Sequence, residues 1–152
     1  MKTNKHIFGS TIIALFLLTV SCVPAPEPIN YGKDLCAYCL MSIVDKKFGA
    51  ELVTDKGKVY KFDAIECMVN YDDGFDKPVK YYLVNAYDMP GELELVDSCH
   101  FLISESVPSP MGAYLSAYKK PEIPKQIIAE NGGSMLIWSE LRAQLISHGI
   151  VH

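Results

Sequence analysis

The chain has 152 residues, 49% of them hydrophobic and 21% charged, with a formal charge of −4. That length holds one compact domain or two very small ones and excludes a large multidomain enzyme. Nucleic acid is excluded as a partner as well, because no run of Lys or Arg is present to replace counterions on phosphates.

The chain opens with Lys2 and Lys5, then an apolar stretch of 14 residues from Ile7 to Val20, then Ser21-Cys22. A charged start, a short hydrophobic segment and a small residue before a cleavage point form an export signal, too short to span a bilayer. The Cys22 step has the look of a bacterial lipoprotein signal, although Thr19 stands where leucine is usual. The expectation is a signal peptide over 1–21, lipid (palmitate) on Cys22 as the new N-terminus, and a stiff Pro-rich tether to residue 34. Cleavage there leaves 131 residues with a formal charge of −6, since Lys2 and Lys5 are lost. It also leaves Cys36, Cys39, Cys67 and Cys99, an even count that composition reads equally as two disulfides or as part of a soft-metal site.

After the tether, short apolar runs alternate with Gly, Pro and Asp. Leu40–Val44, Gly49–Thr54 and Val59–Phe62 read as strands, with Asp55-Lys56-Gly57-Lys58 as a turn. A helix follows, capped by Asp63, with Ile65, Met68 and Val69 on one face, and it stops at Asp72-Asp73-Gly74. Residues 80–87 are strand-like, and Met89-Pro90-Gly91 marks a turn.

The second half repeats the plan with strands over 92–96, 99–103 and 112–118, a helix over 121–131 ended by Gly132-Gly133, and a strand over 134–138. Pairing Cys39 with Cys99 gives an offset of 60, and pairing Gly49-Ala50 with Gly112-Ala113 gives 63. The expected fold is α+β: two small related ββαβ units packed together, over 35–90 and 91–152, the second ending in a helix over 140–147. The acidic pairs Asp72-Asp73 and Glu92/Glu94 read as solvated turns and strand faces.

The chemistry concentrates in Asp34-Leu35-Cys36-Ala37-Tyr38-Cys39-Leu40-Met41. Two thiols and a thioether within six residues offer soft sulfur of the kind that Cu(I) prefers. In an extended chain Cys39 and Met41 face the same side and reach one ion together. A zinc site wants a second comparable pair, which Cys67 and Cys99 do not supply. A thioredoxin-like enzyme wants its reactive cysteine at a helix start, and none is expected at Cys36. In Ser109-Pro110-Met111-Gly112, Pro110 fixes its own φ and Gly112 permits an unusual one, so Met111 is presented on a constrained corner. Packing of the two units can bring Met111 to Cys39 and Met41. Cys67, near the Met68 stripe, reads as a buried thiol first and a spare ligand second. His100 reads as a strand residue, and His148 and His152 fall at the chain end.

At these residues the sequence resembles the NosL family of lipid-anchored accessory proteins of nitrous oxide reductase. The likeness rests on Cys22, Asp34-x-Cys36-x-x-Cys39-x-Met41, Phe62-Asp63 with Cys67-Met68, Ser109-Pro110-Met111-Gly112, and Gly132-Gly133 before Trp138. It implies a Cu(I)-binding metallochaperone at the periplasmic face of the cell envelope, held to the membrane by lipid. Copper then passes to nitrous oxide reductase through an ABC-type membrane complex and its periplasmic partner, in denitrification. It also implies Cys39, Met41 and Met111 as ligands, with Cys36 the less certain fourth. No catalytic residue is assigned: no triad, phosphate loop or paired-carboxylate site stands out. The competing expectation is an envelope thiol–disulfide oxidoreductase using the Cys36/Cys39 pair.

Overall fold

The computed structural model describes residues 23–148; the expected signal segment 1–21, the lipidation site Cys22 and His152 lie outside them, as does the side chain of His148. No helix among the described residues is long and apolar enough to cross a membrane.

Strands β1 (Ala50–Thr54) and β2 (Val59–Phe62) form a hairpin across the expected Asp55–Lys58 turn, where Gly57 takes φ +79°. Helix α1 (Ile65–Asp73) follows, and β3 (Val79–Ala86) returns along the other side of β1. A fourth strand, β4 (Met89–Leu95), is added to the edge, so the first sheet is ordered β2-β1-β3-β4. After a 3-10 turn at Val96–Ser98 come β5 (His100–Ile103), β6 (Leu115–Tyr118), α2 (Glu122–Asn131) and β7 (Ser134–Leu136), with sheet order β6-β5-β7. Helix α3 (Trp138–His148) is the last of the described elements. All pairings are antiparallel. The architecture is the expected one of two ββαβ units and a C-terminal helix, each unit holding its first strand in the middle of its sheet.

Several local expectations are corrected. Residues 40–44 are not a strand: one bridge, Leu35 to Ser42, is the only pairing there, because Leu40 turns the chain with φ +63°. The repeat aligns β1 with β5 and β2 with β6, so equating Gly49-Ala50 with Gly112-Ala113 matched a first strand to the approach to a second. The tight turn after β3 is Tyr87-Asp88. Met89 already pairs with Ala86, and Pro90-Gly91 sits in the bulge where the register shifts. That fits a residue with no amide to donate. The first sheet thus runs to Leu95, past residue 90. Trp138 begins α3 rather than ending β7.

The two units share one core. Phe62, Ile65 and Met68 of the first cluster with Phe101, Leu115 and Ala117 of the second, all fully buried. Trp138 bridges them, its ring 5.5 Å from Tyr82 on β3 and 5.7 Å from Phe101 on β5. Asp72 is no solvated turn residue. It is buried, accepts the Tyr82 hydroxyl at 2.7 Å and pairs with Arg142 of α3, tying α1, β3 and α3 together. Glu94 likewise pairs with Lys119 at 2.6 Å, across the units. The chain from Glu27 onward is bound to the first sheet: the Glu27 amide donates to Glu51, Ile29 is buried, and Lys61 donates to the Pro28 carbonyl. The tether therefore becomes part of the domain well before residue 34.

Candidate metal centre

Three elements meet at the site: a loop ahead of β1, the β2–α1 step, and the first turn of α1. Asp34 starts the loop, its carboxylate taking the Asn30 amide at 2.9 Å and the Lys61 ammonium at 2.9 Å. These two contacts, the Asn30 amide foremost, hold its carboxyl below the usual range. From there the Cys36 amide donates to the Met41 carbonyl at 2.8 Å, the Leu40 amide to the Cys36 carbonyl at 3.1 Å and the Ile43 amide to the Asp34 carbonyl at 3.0 Å. The Ala37 amide donates to Lys61 of β2 at 2.8 Å and fastens the loop to the sheet. Leu40 in the left-handed region is costly for a branched side chain and is the bend that closes this loop.

The thiols of Cys36, Cys39 and Cys67 converge, their sulfur atoms all within 4.8 Å of one another. Cys36 and Cys67 are each 1% exposed, whereas Cys39 is half-buried. All four described cysteines carry free thiols. The Cys36 sulfur is the focus of the cluster: the Cys67 thiol donates to it, and so do the backbone amides of Asp63, Cys39 and Tyr38. Hydrogen bonds to the charged form favour it, and the Cys36 thiol is drawn down to about 5. The Cys67 thiol goes the other way, because its proton is held by the Cys36 sulfur and burial penalises its own ionisation. Burial also raises Cys39, reinforced by its neighbour Cys36. The arrangement favours the charged form at Cys36 and the protonated form at Cys39 and Cys67.

Met41 follows Cys39 by two residues, as expected, but a turn rather than an extended strand connects them, so the shared-face argument does not apply. Met41 is 47% exposed. Met111 is half-buried and packs against the core cluster that includes Cys36 and Cys67. Its turn is the anticipated constrained corner: the Gly112 amide donates to the Ser109 carbonyl at 3.0 Å, with Gly112 at φ +79°. That turn is fixed to α1 through Glu66. Ser109 donates to the Glu66 carboxylate at 2.5 Å, and the Met111 and Ala113 amides face the same group. Cys99 is buried apart, with its thiol pushed up to about 11 by burial, and neither it nor His100 joins the three-thiol group.

Three participants were underrated in the sequence. The stripe of Ile65, Met68 and Val69 points to Cys67 as a core thiol, but α1 is embedded on more than that stripe: Glu66 and Cys67 are buried too. Asp63 was expected to cap α1; the helix has no side-chain cap, and Asp63 instead gives its amide to Cys36. Its own carboxyl is buried, and burial raises its pKa. Glu66, next to Cys67, carried no sequence signal beyond an acidic residue in a first helical turn.

Two ββαβ units sharing a core, with three thiols converging on the first, define a small α+β protein carrying a sulfur-rich metal-type site. No protein-family profile matches the chain, and no curated sequence does. In structure it is similar to the crystal structure of the copper chaperone NosL from Shewanella denitrificans, with a TM-score of 0.66 at 18% sequence identity. The likeness covers 77% of this chain and 95% of that one, and it shows that the two share a fold.

Proposed function

We propose that the protein is a Cu(I) carrier of the cell envelope, anchored by lipid on Cys22, that delivers copper for assembly of nitrous oxide reductase through an ABC-type membrane complex and its periplasmic partner. The observation that carries the reading is the convergence of Cys36, Cys39 and Cys67 within 4.8 Å. Thiolates about 2.3 Å from one ion stand about 4 Å apart, so the cluster accepts an ion with little movement. Sulfur donors favour Cu(I) over the oxygen-preferring cations, and among the described residues no other group of metal-type side chains converges. The fold shared with a solved copper chaperone supports the same reading.

Cargo transfer follows from the differing exposure of the sulfurs. Cys36 and Cys67 form the inner wall, and the Cys67 thiol, followed by backbone amides, favours the charged form of Cys36. Loading displaces the remaining thiol protons. Cys39 and the thioethers of Met41 and Met111 are the exchangeable ligands, which an acceptor's own sulfur can replace one at a time without leaving the metal bare. No general acid, base or bond-breaking step is required, and the proposal is of a carrier rather than an enzyme. An oxidoreductase needs its low-pKa cysteine at the surface. Here the thiol drawn down is that of Cys36, sealed in the interior, while burial raises the half-buried Cys39.

Anaerobic Cu(I) titration of the mature protein tests this. One Cu(I) per chain is expected, with weaker binding in Cys39→Ser and Met111→Ala. Unchanged affinity in both variants overturns the assignment.

A further inference from the structure

Glu66 is an unusual residue to find in this core. It is 1% exposed on the first turn of α1, flanked by Ile65 and Cys67, where an apolar side chain would avoid the cost of burying a carboxylate. Its Oε1 takes the Ser109 hydroxyl at 2.5 Å, yet Oε2 has no full hydrogen bond. The amides of Met111 and Ala113 face it from the loop between β5 and β6. That loop is bent sharply at two points, Gly112 at φ +79° and Tyr114 at φ +56°. The second bend is costly for a side chain of that size. The carboxylate thus gathers donors from three residues of a strained loop in the second unit onto the helix that carries Cys67 in the first.

We propose that Glu66 is a positioning residue for the copper site, which sets Met111 against the three thiols by clamping the Ser109–Ala113 loop to the start of α1. The proposal rests on the copper reading above and on Met111 as a ligand. Cys36, Cys39 and Cys67 all belong to the first unit or the loop ahead of it, so nothing in the thiol cluster itself fixes the second unit's methionine. The Glu66–Ser109 bond does, one residue from Cys67 at one end and two residues from Met111 at the other. A buried clamp of this kind fixes the backbone from which the methionine side chain reaches toward the thiols.

The test is a double-mutant cycle on the full mature protein, read by anaerobic Cu(I) competition and by copper X-ray absorption. Loss of a supporting contact around a metal ligand lowers affinity by about 10-fold or more. That loss is expected for Glu66→Ala, together with one sulfur fewer around copper. In a Met111→Ala background the same change is expected to have no further effect. Glu66→Gln keeps an acceptor oxygen for Ser109 and is expected to restore both the affinity and the sulfur count. Ser109→Ala, which removes one donor and little volume, supplies the same comparison should Glu66→Ala fail to fold. Equal losses with and without Met111 overturn the positioning role while leaving Met111 as a ligand. So does a lowered melting temperature with the sulfur count intact. If Met111→Ala alone changes neither affinity nor sulfur count, Met111 is not a ligand and both statements fall.

Discussion

Helices α1 and α2 hold the same place in their ββαβ units and have opposite surroundings. In α1, six of nine residues are buried, including Glu66, Cys67 and Asp72; in α2 only Pro124 is. The strands around them differ in the same sense: β3 has eight residues and β7 three, and the first sheet gains β4. One topology therefore yields an embedded helix whose polar and sulfur groups are fixed from all sides, and a surface helix that covers a sheet. The chemistry gathers where the repeat is embedded and where a loop has been added ahead of it. The second unit contributes a scaffold and one turn.

That contrast can be broken at several points. The largest expected effect is in the helices themselves. Met68→Ala, at a fully buried position of α1, should cost about 2–5 kcal/mol in denaturant unfolding, whereas Ile127→Ala on the half-covered α2 should cost about 1 kcal/mol. Equal losses would mean that the two helices are equally embedded.

A smaller effect is expected from Glu51, a carboxylate buried in the middle of the first sheet with one oxygen unpartnered. Burial pushes its pKa up to about 7, against the pull of the Glu27 amide and Lys61. The folded state then holds a proton that the unfolded chain releases near pH 4.5. Stability contributed by this group is present below about pH 4.5 and is lost as pH rises through about 7. Glu51→Gln should flatten that slope and stabilise the protein at pH 8 by about 1–3 kcal/mol, read from unfolding curves across the range. A slope identical in both proteins would assign the pH dependence elsewhere.

Smaller again is Asp72→Asn, which removes the ion pair with Arg142 but leaves an acceptor for Tyr82. It should cost about 1–2 kcal/mol, because the Arg142 side chain is 41% exposed and is not left as a buried charge. A neutral result in thermal unfolding would show that α3 is held to the first unit by the apolar packing of Trp138, Leu141 and Leu145 alone.

Much of this was legible in the sequence. The β1–β2 hairpin, all three helices and the strand, strand, helix, strand order of each unit follow from apolar runs punctuated by Gly, Pro and Asp. The turn presenting Met111 was readable from Pro110 and Gly112. What escaped depended on contacts between distant segments. A helix embedded on several sides has no periodicity to betray its second face, so Cys67 and Glu66 disappeared into the core stripe of Ile65, Met68 and Val69. Asp72 looked like a turn residue because Arg142, its partner, lies 70 positions away. The strand expected at 40–44 failed for a local reason: the stretch is strand-like in composition, but Leu40 bends it to bring Cys39 toward Cys36.

The central claim is that Cys67 belongs to a copper site, and a second buried cysteine provides its control. Cys67 and Cys99 are both free thiols with at most 4% exposure and raised pKa values, Cys67 through its hydrogen bond to Cys36 and through burial, Cys99 through burial, yet only Cys67 lies in the three-thiol cluster. Anaerobic Cu(I) competition should show about a 10-fold or greater loss of affinity in Cys67→Ser and none in Cys99→Ser. Equal affinities in the two variants would contradict the assignment of the site.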